Sequence, residues 1–229
     1  MELFVAEITL FSARACPFAH RTRLVLAEKK LDFELCEIDL QNKPAWFNTV
    51  SSYGKVPALQ HNEQRFVESA IVNEYIDEVF PDPPLLPKDP GARAVARIWI
   101  DYANTRFVPA WGSLLRAPGE AERDAARTTL LESLEYLEAQ ALQKLSGAGP
   151  FWFGDRPGLV DFAFYPWFER WAALEHYRGS LPLVKLERLR RWRDALAARP
   201  SVTSIQNSTR YYVERYAKLA APAERAVAV

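Results

Sequence analysis

The sequence predicts an α/β domain followed by an all-helical domain, and three observations carry that expectation. Residues 8–40 read as strand, helix and strand, residues 80–91 concentrate prolines, and everything from Ala92 onward has helical period. The run Phe80-Pro81-Asp82-Pro83-Pro84-Leu85-Leu86-Pro87-Lys88-Asp89-Pro90-Gly91 excludes regular helix and sheet and reads as an interdomain connection. The expected boundaries are residues 1–83 for the α/β domain, 84–91 for the linker and 92–229 for the helical domain. A chain of 229 residues, 49% apolar and 13% aromatic, is long enough to give both a packed core.

Lys+Arg and Asp+Glu both number 29, so the formal charge is zero and no basic excess points to nucleic acid or an anionic membrane. The apolar runs are too short to span a bilayer, and Met1 to Leu10 lacks a basic segment followed by a signal-type core, which predicts a cytoplasmic protein. Two cysteines do not make a disulfide framework. With no CxxC, Cys/His cluster or HExxH, no metal is expected.

Ile8 to Phe11 reads as a short buried strand, Ser12 to Ala15 as a loop, and Leu24, Val25 and Leu26 as apolar turns of the next helix. Pro17 suits the first helical position, because its missing N–H has no intrahelical partner there and its φ already matches the helix. Cys16 then stands at or near the N-cap, facing unpaired N–H groups and the positive end of the helix dipole, which favour thiolate over thiol. Cys16 is therefore the candidate nucleophile, with Arg14 and Arg21 adding positive charge nearby. His20 reads as an exposed helix residue. Leu31 to Leu40 reads as a second strand in which Cys36 packs against the core, away from any activating helix end.

Gln41 to Ser52 is a polar connection with a helical turn after Pro44, and Pro57 opens a further strand. A cis Val56-Pro57 bond would turn the Val56 backbone outward as an edge for a peptide-like ligand, although trans is the default for X–Pro. Ser69 is a natural N-cap for a helix carrying Ile71, Val72, Tyr75 and Ile76 on its apolar side. Such a helix start can bind a carboxylate, with Glu68 meeting an ammonium, or the serine can simply cap its own helix. Beyond the linker, helices are expected at 92–115, 120–145, 160–176, 183–198 and 201–217, with residues 218–229 fraying. Most of the aromatic residues in two of these must be core. Beside Arg106 and Arg170, however, Phe107, Trp167 and Trp171 are candidates to line a ligand pocket.

Cys16-Pro17-Phe18-Ala19, Lys43-Pro44-Ala45-Trp46-Phe47, Val56-Pro57, Glu68-Ser69 and Pro166-Trp167-Phe168-Glu169-Arg170 occur together and in order. This set resembles the omega class of glutathione transferases over nearly the whole chain. The resemblance implies a thioredoxin-like N-terminal domain, a helical substrate-binding domain and a homodimer. It implies that Cys16 forms a mixed disulfide with glutathione, the co-substrate. Val56 would pair with the cysteinyl part across a cis bond to Pro57, Glu68 and Ser69 would hold the γ-glutamyl end, Lys43 would meet the glycyl carboxylate, and Phe18 and Lys55 would complete the site. One departure is visible: Gly158 stands three residues before Asp161, where the family typically has a hydroxyl residue, so half of a capping box is missing.

The function this implies is thiol transfer: deglutathionylation, or reduction of dehydroascorbate or of a mixed disulfide. Position 19 is alanine, so a second thiol must come from outside. Conjugation of an electrophile is the alternative among enzymes, with Ser12 as the hydroxyl that would stabilise a glutathione thiolate. From another class, stringent starvation protein A shares the two-domain plan and a run similar to Val25 to Lys30, and it binds RNA polymerase. An activated Cys16 argues against a pure binding module.

Overall fold

The structure, a computed structural model, describes residues 8–221; residues 1–7 and 222–229, which include most of the stretch expected to fray, lie outside the described residues. Strands β1 (Ile8–Ser12), β2 (Glu34–Glu37), β3 (Ala58–His61) and β4 (Gln64–Val67) form one sheet in the order β2-β1-β3-β4. β2 runs parallel to β1, as a strand–helix–strand crossover requires, while β3 is antiparallel to β1 and β4 to β3. Alternation along the strands divides two cores. Ile8, Leu10 and Leu59 face α1 (Pro17–Lys29), whereas Phe11 and Ala58 face Phe47 and Val50 of the short α2 (Phe47–Val50). α3 (Ser69–Val79) follows β4 and packs beside α1.

The helical domain begins with α4 (Pro90–Tyr102), capped by Asp89, whose carboxylate accepts from Ala92 N–H at 2.7 Å. A wide π turn (Ala103–Phe107) joins α4 to α5 (Val108–Arg116), and α6 (Glu120–Tyr136) runs through a second wide turn (Leu137–Leu142) into α7 (Gln143–Leu145). The helix expected at 160–176 is two, α8 (Leu159–Glu169) and α9 (Trp171–Arg178), because the backbone leaves helical geometry at Arg170. A 3-10 turn (Leu183–Lys185) precedes α10 (Glu187–Ala197), and the helix expected at 201–217 is divided into α11 (Pro200–Thr203) and α12 (Thr209–Ala220), which Ser208 caps through its hydroxyl. Among the described residues no strand occurs beyond β4.

The two domains share one hydrophobic core, in which Leu24 and Val72 join Phe107, Phe164 and Trp192. The proline-rich connection is clamped to it. The Lys29 ammonium meets Asp77 at 2.7 Å and donates to the carbonyls of Phe80 and Pro83, while Asp77 accepts from Leu85 N–H at 2.8 Å and Leu86 N–H at 3.1 Å. The peptide-bond cost of a proline run is thereby met by side chains of the first domain. At the far side of the connection, Leu159 N–H donates to the Leu85 carbonyl at 2.8 Å, and a Cβ on Gly158 would lie 2.5 Å from that carbonyl oxygen. This is why glycine replaces the hydroxyl residue at the N-cap. The surviving half of the box is present: Asp161 accepts from Gly158 N–H at 2.7 Å and also from Trp152 N–H and the Trp192 indole.

Candidate active site

Cys16 stands at the N-cap of α1 in extended geometry, with Pro17 opening the helix. Its thiol is half-buried and makes no capping bond to the helix N–H groups; Sγ lies instead 3.7 Å from the Val56 carbonyl. The Val56-Pro57 peptide bond is cis. Beside it, a cavity of about 120 Å³ is lined by Phe18, Tyr53, Lys55, Val56, Pro57, Val67, Glu68 and Ser69. Six of these are the residues expected there from sequence, and Tyr53 and Val67 are additions that no motif marks. Lys43 is exposed just outside, donating to the Gly54 carbonyl at 2.8 Å next to Lys55.

Ser69 is the first residue of α3 rather than its cap. Glu68 occupies the cap position with φ 68°, a positive value that is rare outside glycine and costs on the order of 1–3 kcal/mol. The Ser69 hydroxyl makes no bond to its own helix and accepts instead from Arg21 Nη1 at 3.3 Å. It is therefore not a self-capping serine.

Around the thiol the structure corrects several expectations. α1 packs against the sheet, against α3 beside it and against α8 of the helical domain, so the face that reads as solvent-exposed is buried. His20 is fully buried, 3.1 Å from Arg170 Nη1 and 3.7 Å from Glu169; burial first, then the charges of Arg170 and Arg23, holds its imidazole well below the ordinary range, so it is neutral. Arg23 and Arg170 grip the loop before Cys16. Arg23 donates to Ser12 Oγ at 2.6 Å and to the carbonyls of Ala13 and Arg14, and Arg170 donates to the Ala15 carbonyl at 3.2 Å. Ser12 is fully buried and committed to Arg23, which removes it as the hydroxyl for a conjugating site.

Of the five residues expected to line a substrate pocket, four are core. Phe107 stacks on Phe168 at a centroid distance of 5.5 Å, and Trp171 stacks on that same Phe168 ring at 5.4 Å. Trp167 is 2% exposed beneath Phe18, and Arg170 is spent on backbone carbonyls while its guanidinium lies over the Tyr212 ring. Burying aromatic rings at this density outweighs lining a cleft. Arg106 alone is exposed, in a groove of about 550 Å³ between the α4–α5 rod and α6, where Tyr102 and Tyr136 stack. Among the described residues no group of three or more His, Cys, Asp or Glu could hold a metal ion, and no helix is long and apolar enough to cross a membrane.

A thiol at a helix start, beside a cis-proline edge and the start of α3, on a four-stranded sheet followed by an all-helical domain, defines a glutathione S-transferase architecture. Residues 10–84 match the glutathione S-transferase N-terminal domain and residues 120–195 the C-terminal domain of that family. The chain belongs to the glutathione S-transferase family. It is 32% identical to glutathione S-transferase omega-1 of Mus musculus over 209 residues, covering 91% of this chain and 84% of the relative. Among solved structures it is similar to glutathione transferase Omega 3C of Trametes versicolor (27% identity, TM-score 0.82, 93% and 90% of the two chains). It is also similar to a tau-class enzyme of mango, Mangifera indica (33%, TM-score 0.86, 94% and 99%). With its cysteine-type site, the chain falls in the omega class.

Proposed function

We propose that this protein is a glutathione-dependent thiol transferase that reduces glutathione mixed disulfides through Cys16. The observation that carries the reading is the pairing of a half-buried Cys16 with the Val56 edge, in a site where Ser12, the hydroxyl a conjugating mechanism would use, is buried and bonded to Arg23. In the first step the Cys16 thiolate attacks the glutathionyl sulfur of RS–SG. The S–S bond breaks, RS⁻ leaves and takes up a proton, and Cys16 carries a glutathionyl group. The thiolate of a second glutathione then attacks that sulfur, freeing Cys16 and forming oxidised glutathione. The substrate is reduced by two electrons and two glutathione units end as one disulfide. Ala19 leaves no second thiol in the turn, so the external glutathione must resolve the intermediate.

In this reading the Val56 backbone pairs with the cysteinyl part of glutathione and Lys43 meets the glycyl carboxylate. Glu68 meets the γ-glutamyl ammonium and Ser69 its carboxylate, while Phe18, Lys55 and Pro57 shape the pocket. Arg106 offers a positive charge to an acidic acceptor in the neighbouring groove. A reducing cytoplasm suits two free thiols. A homodimer suits the exposed Ile71 and Ile98 on the helices joined by the Glu74–Arg97 ion pair. The test is intact mass after incubation with oxidised glutathione, with the modified peptide mapped. One glutathionyl adduct on Cys16 is expected; no adduct, or an adduct confined to Cys36, rejects the mechanism.

A further inference from the structure

Arg14 and Ala15, the two residues before Cys16, are each tied to the helical domain by a separate chain of hydrogen bonds. Arg14 Nε donates to Asn207 Oδ1, Asn207 Nδ2 donates to the Tyr212 hydroxyl at 3.0 Å, and that hydroxyl donates to Glu169 Oε1. On the other side, Arg170 donates to the Ala15 carbonyl at 3.2 Å from Nη2 and to His20 Nδ1 at 3.1 Å from Nη1. A guanidinium only donates, so Nδ1 is the accepting nitrogen and the neutral imidazole of His20 carries its proton on Nε2. Nε2 lies 3.7 Å from Glu169 Oε2, and both atoms are buried with no closer partner. The two chains therefore start at adjacent residues of the loop and converge on the two oxygens of one carboxylate. The thiol-transfer steps use none of these side chains. The carboxylate also accepts from Asn207 N–H at 3.2 Å. A protonated carboxyl or an amide would set a donor against one of the converging donors, so the arrangement requires the ionised form.

We infer that Glu169 is a positioning residue for Cys16, its carboxylate holding together the two hydrogen-bond chains that fix the Arg14–Ala15 peptide ahead of the reacting sulfur. The inference rests on the thiol-transfer reading for what Cys16 does once it is placed. The groups that face the carboxylate are His20 and Arg23 from α1, Arg170 between α8 and α9, Tyr212 from α12 and, one turn back on α8, Tyr165. Burial, opposed by the Tyr212 bond and the charges of Arg170 and Arg23, leaves Glu169 above the ordinary carboxylate range. The ionised form is present above that raised value, so the positioning is complete at neutral pH and is lost as the pH falls.

The measurement is the rate at which iodoacetamide modifies Cys16, read by peptide mapping between about pH 5 and pH 8, with calorimetric affinity for S-methylglutathione alongside. Glu169→Gln should react at least ~10-fold more slowly than wild type at about pH 7.5, and the gap should narrow at least ~2-fold by about pH 5, where the wild-type carboxyl takes up its own proton. A purely electrostatic role has the opposite sign, because removing a negative charge near the thiol favours the thiolate and speeds alkylation. Tyr212→Phe opens one chain with no change of charge and keeps the ring over Arg170, and it should slow the reaction at least ~3-fold at about pH 7.5. S-Methylglutathione should bind both variants within ~3-fold of wild type. Alkylation of Glu169→Gln at or above the wild-type rate, a gap that does not change with pH, or an equal loss of S-methylglutathione affinity overturns the role of Glu169. Should Glu169→Gln fail to fold, Tyr212→Phe decides alone, and a wild-type rate in that variant overturns the proposal. Iodoacetamide needs no glutathione, so these rates test Glu169 separately from a wild type that fails to turn over a mixed disulfide, which overturns the thiol-transfer reading instead.

Discussion

The two cysteines of the α/β domain sit in opposite electrostatic surroundings. Cys16 stands at a helix start near the buried guanidinium groups of Arg21 and Arg23, whereas Cys36 lies on β2 between Glu34 and Glu37. Burial, followed by the charges of Glu34 and Glu37, raises the Cys36 thiol above its ordinary range, so it holds its proton at neutral pH. Limited iodoacetamide labelling at pH 7 should therefore modify Cys16 at least ~10-fold faster than Cys36, with Cys36 gaining rate as the pH becomes alkaline. Peptide mapping at several pH values checks this, and equal rates at pH 7 count against Cys16 as the nucleophile. Cys16, Val56, Glu68 and Ser69 were legible because proline, a turn and a helix start leave marks in a sequence. The buried arginines were not. Arg21, Arg23 and His20 occupy the positions that a two-sided helix normally gives to water, and only the packing of α8 against α1 reverses that meaning.

At the scale of elements, the start of α8 joins the linker to the helical core. Gly158 lies over the Leu85 carbonyl with φ −136°, which any residue can adopt, so its need for glycine is a matter of space and not of backbone conformation. The absent hydroxyl looks like a weakness in the capping pattern when the sequence is read alone. The structure shows that a side chain there would displace the Leu85 carbonyl from its bond to Leu159 N–H. Gly158→Ala should cost about 1–3 kcal/mol, and Gly158→Ser should fare no better despite restoring a capping hydroxyl. Thermal unfolding should show midpoints lower by roughly 5 °C, with glutathione affinity at the folded temperature unchanged. A Gly158→Ser variant more stable than wild type would mean that capping outweighs the close approach. Other non-local contacts explain why helix boundaries at 170 and 204–208 escape a reading by period. Arg170 and Asn207 leave the helix to serve buried partners, Arg170 reaching Ala15 and Asn207 reaching Glu169 and Tyr212.

Across the whole molecule, the pocket is lined by the α/β domain and braced from the helical domain: Ser69 of α3 accepts from Arg21 of α1, whose other partners, Asn104 and Ala163, belong to the helical domain. The aromatic residues expected to line the acceptor side instead form the shared core, which makes that scaffold stiff and independent of the sulfur. Removing only the reacting atom should therefore separate chemistry from binding. Cys16→Ser replaces a half-buried thiol that has no capping bond and one 3.7 Å contact to Val56, so the fold and the cavity should persist. A serine hydroxyl cannot form or release the glutathionyl disulfide, and turnover of a mixed-disulfide substrate should fall by at least ~100-fold. S-Methylglutathione should still bind within ~3-fold of wild type, because in the proposed site its charged ends meet Lys43, Glu68 and Ser69 and not the sulfur. The new hydroxyl also stands where it can donate to the sulfur of bound glutathione, so the variant should gain measurable conjugation of an aryl halide. Paired assays on wild type and variant read all three. Disulfide reduction that survives Cys16→Ser, or a wild type that conjugates aryl halides well while ignoring disulfides, would make Cys16 a bystander and return the chemistry to a hydroxyl other than the buried Ser12.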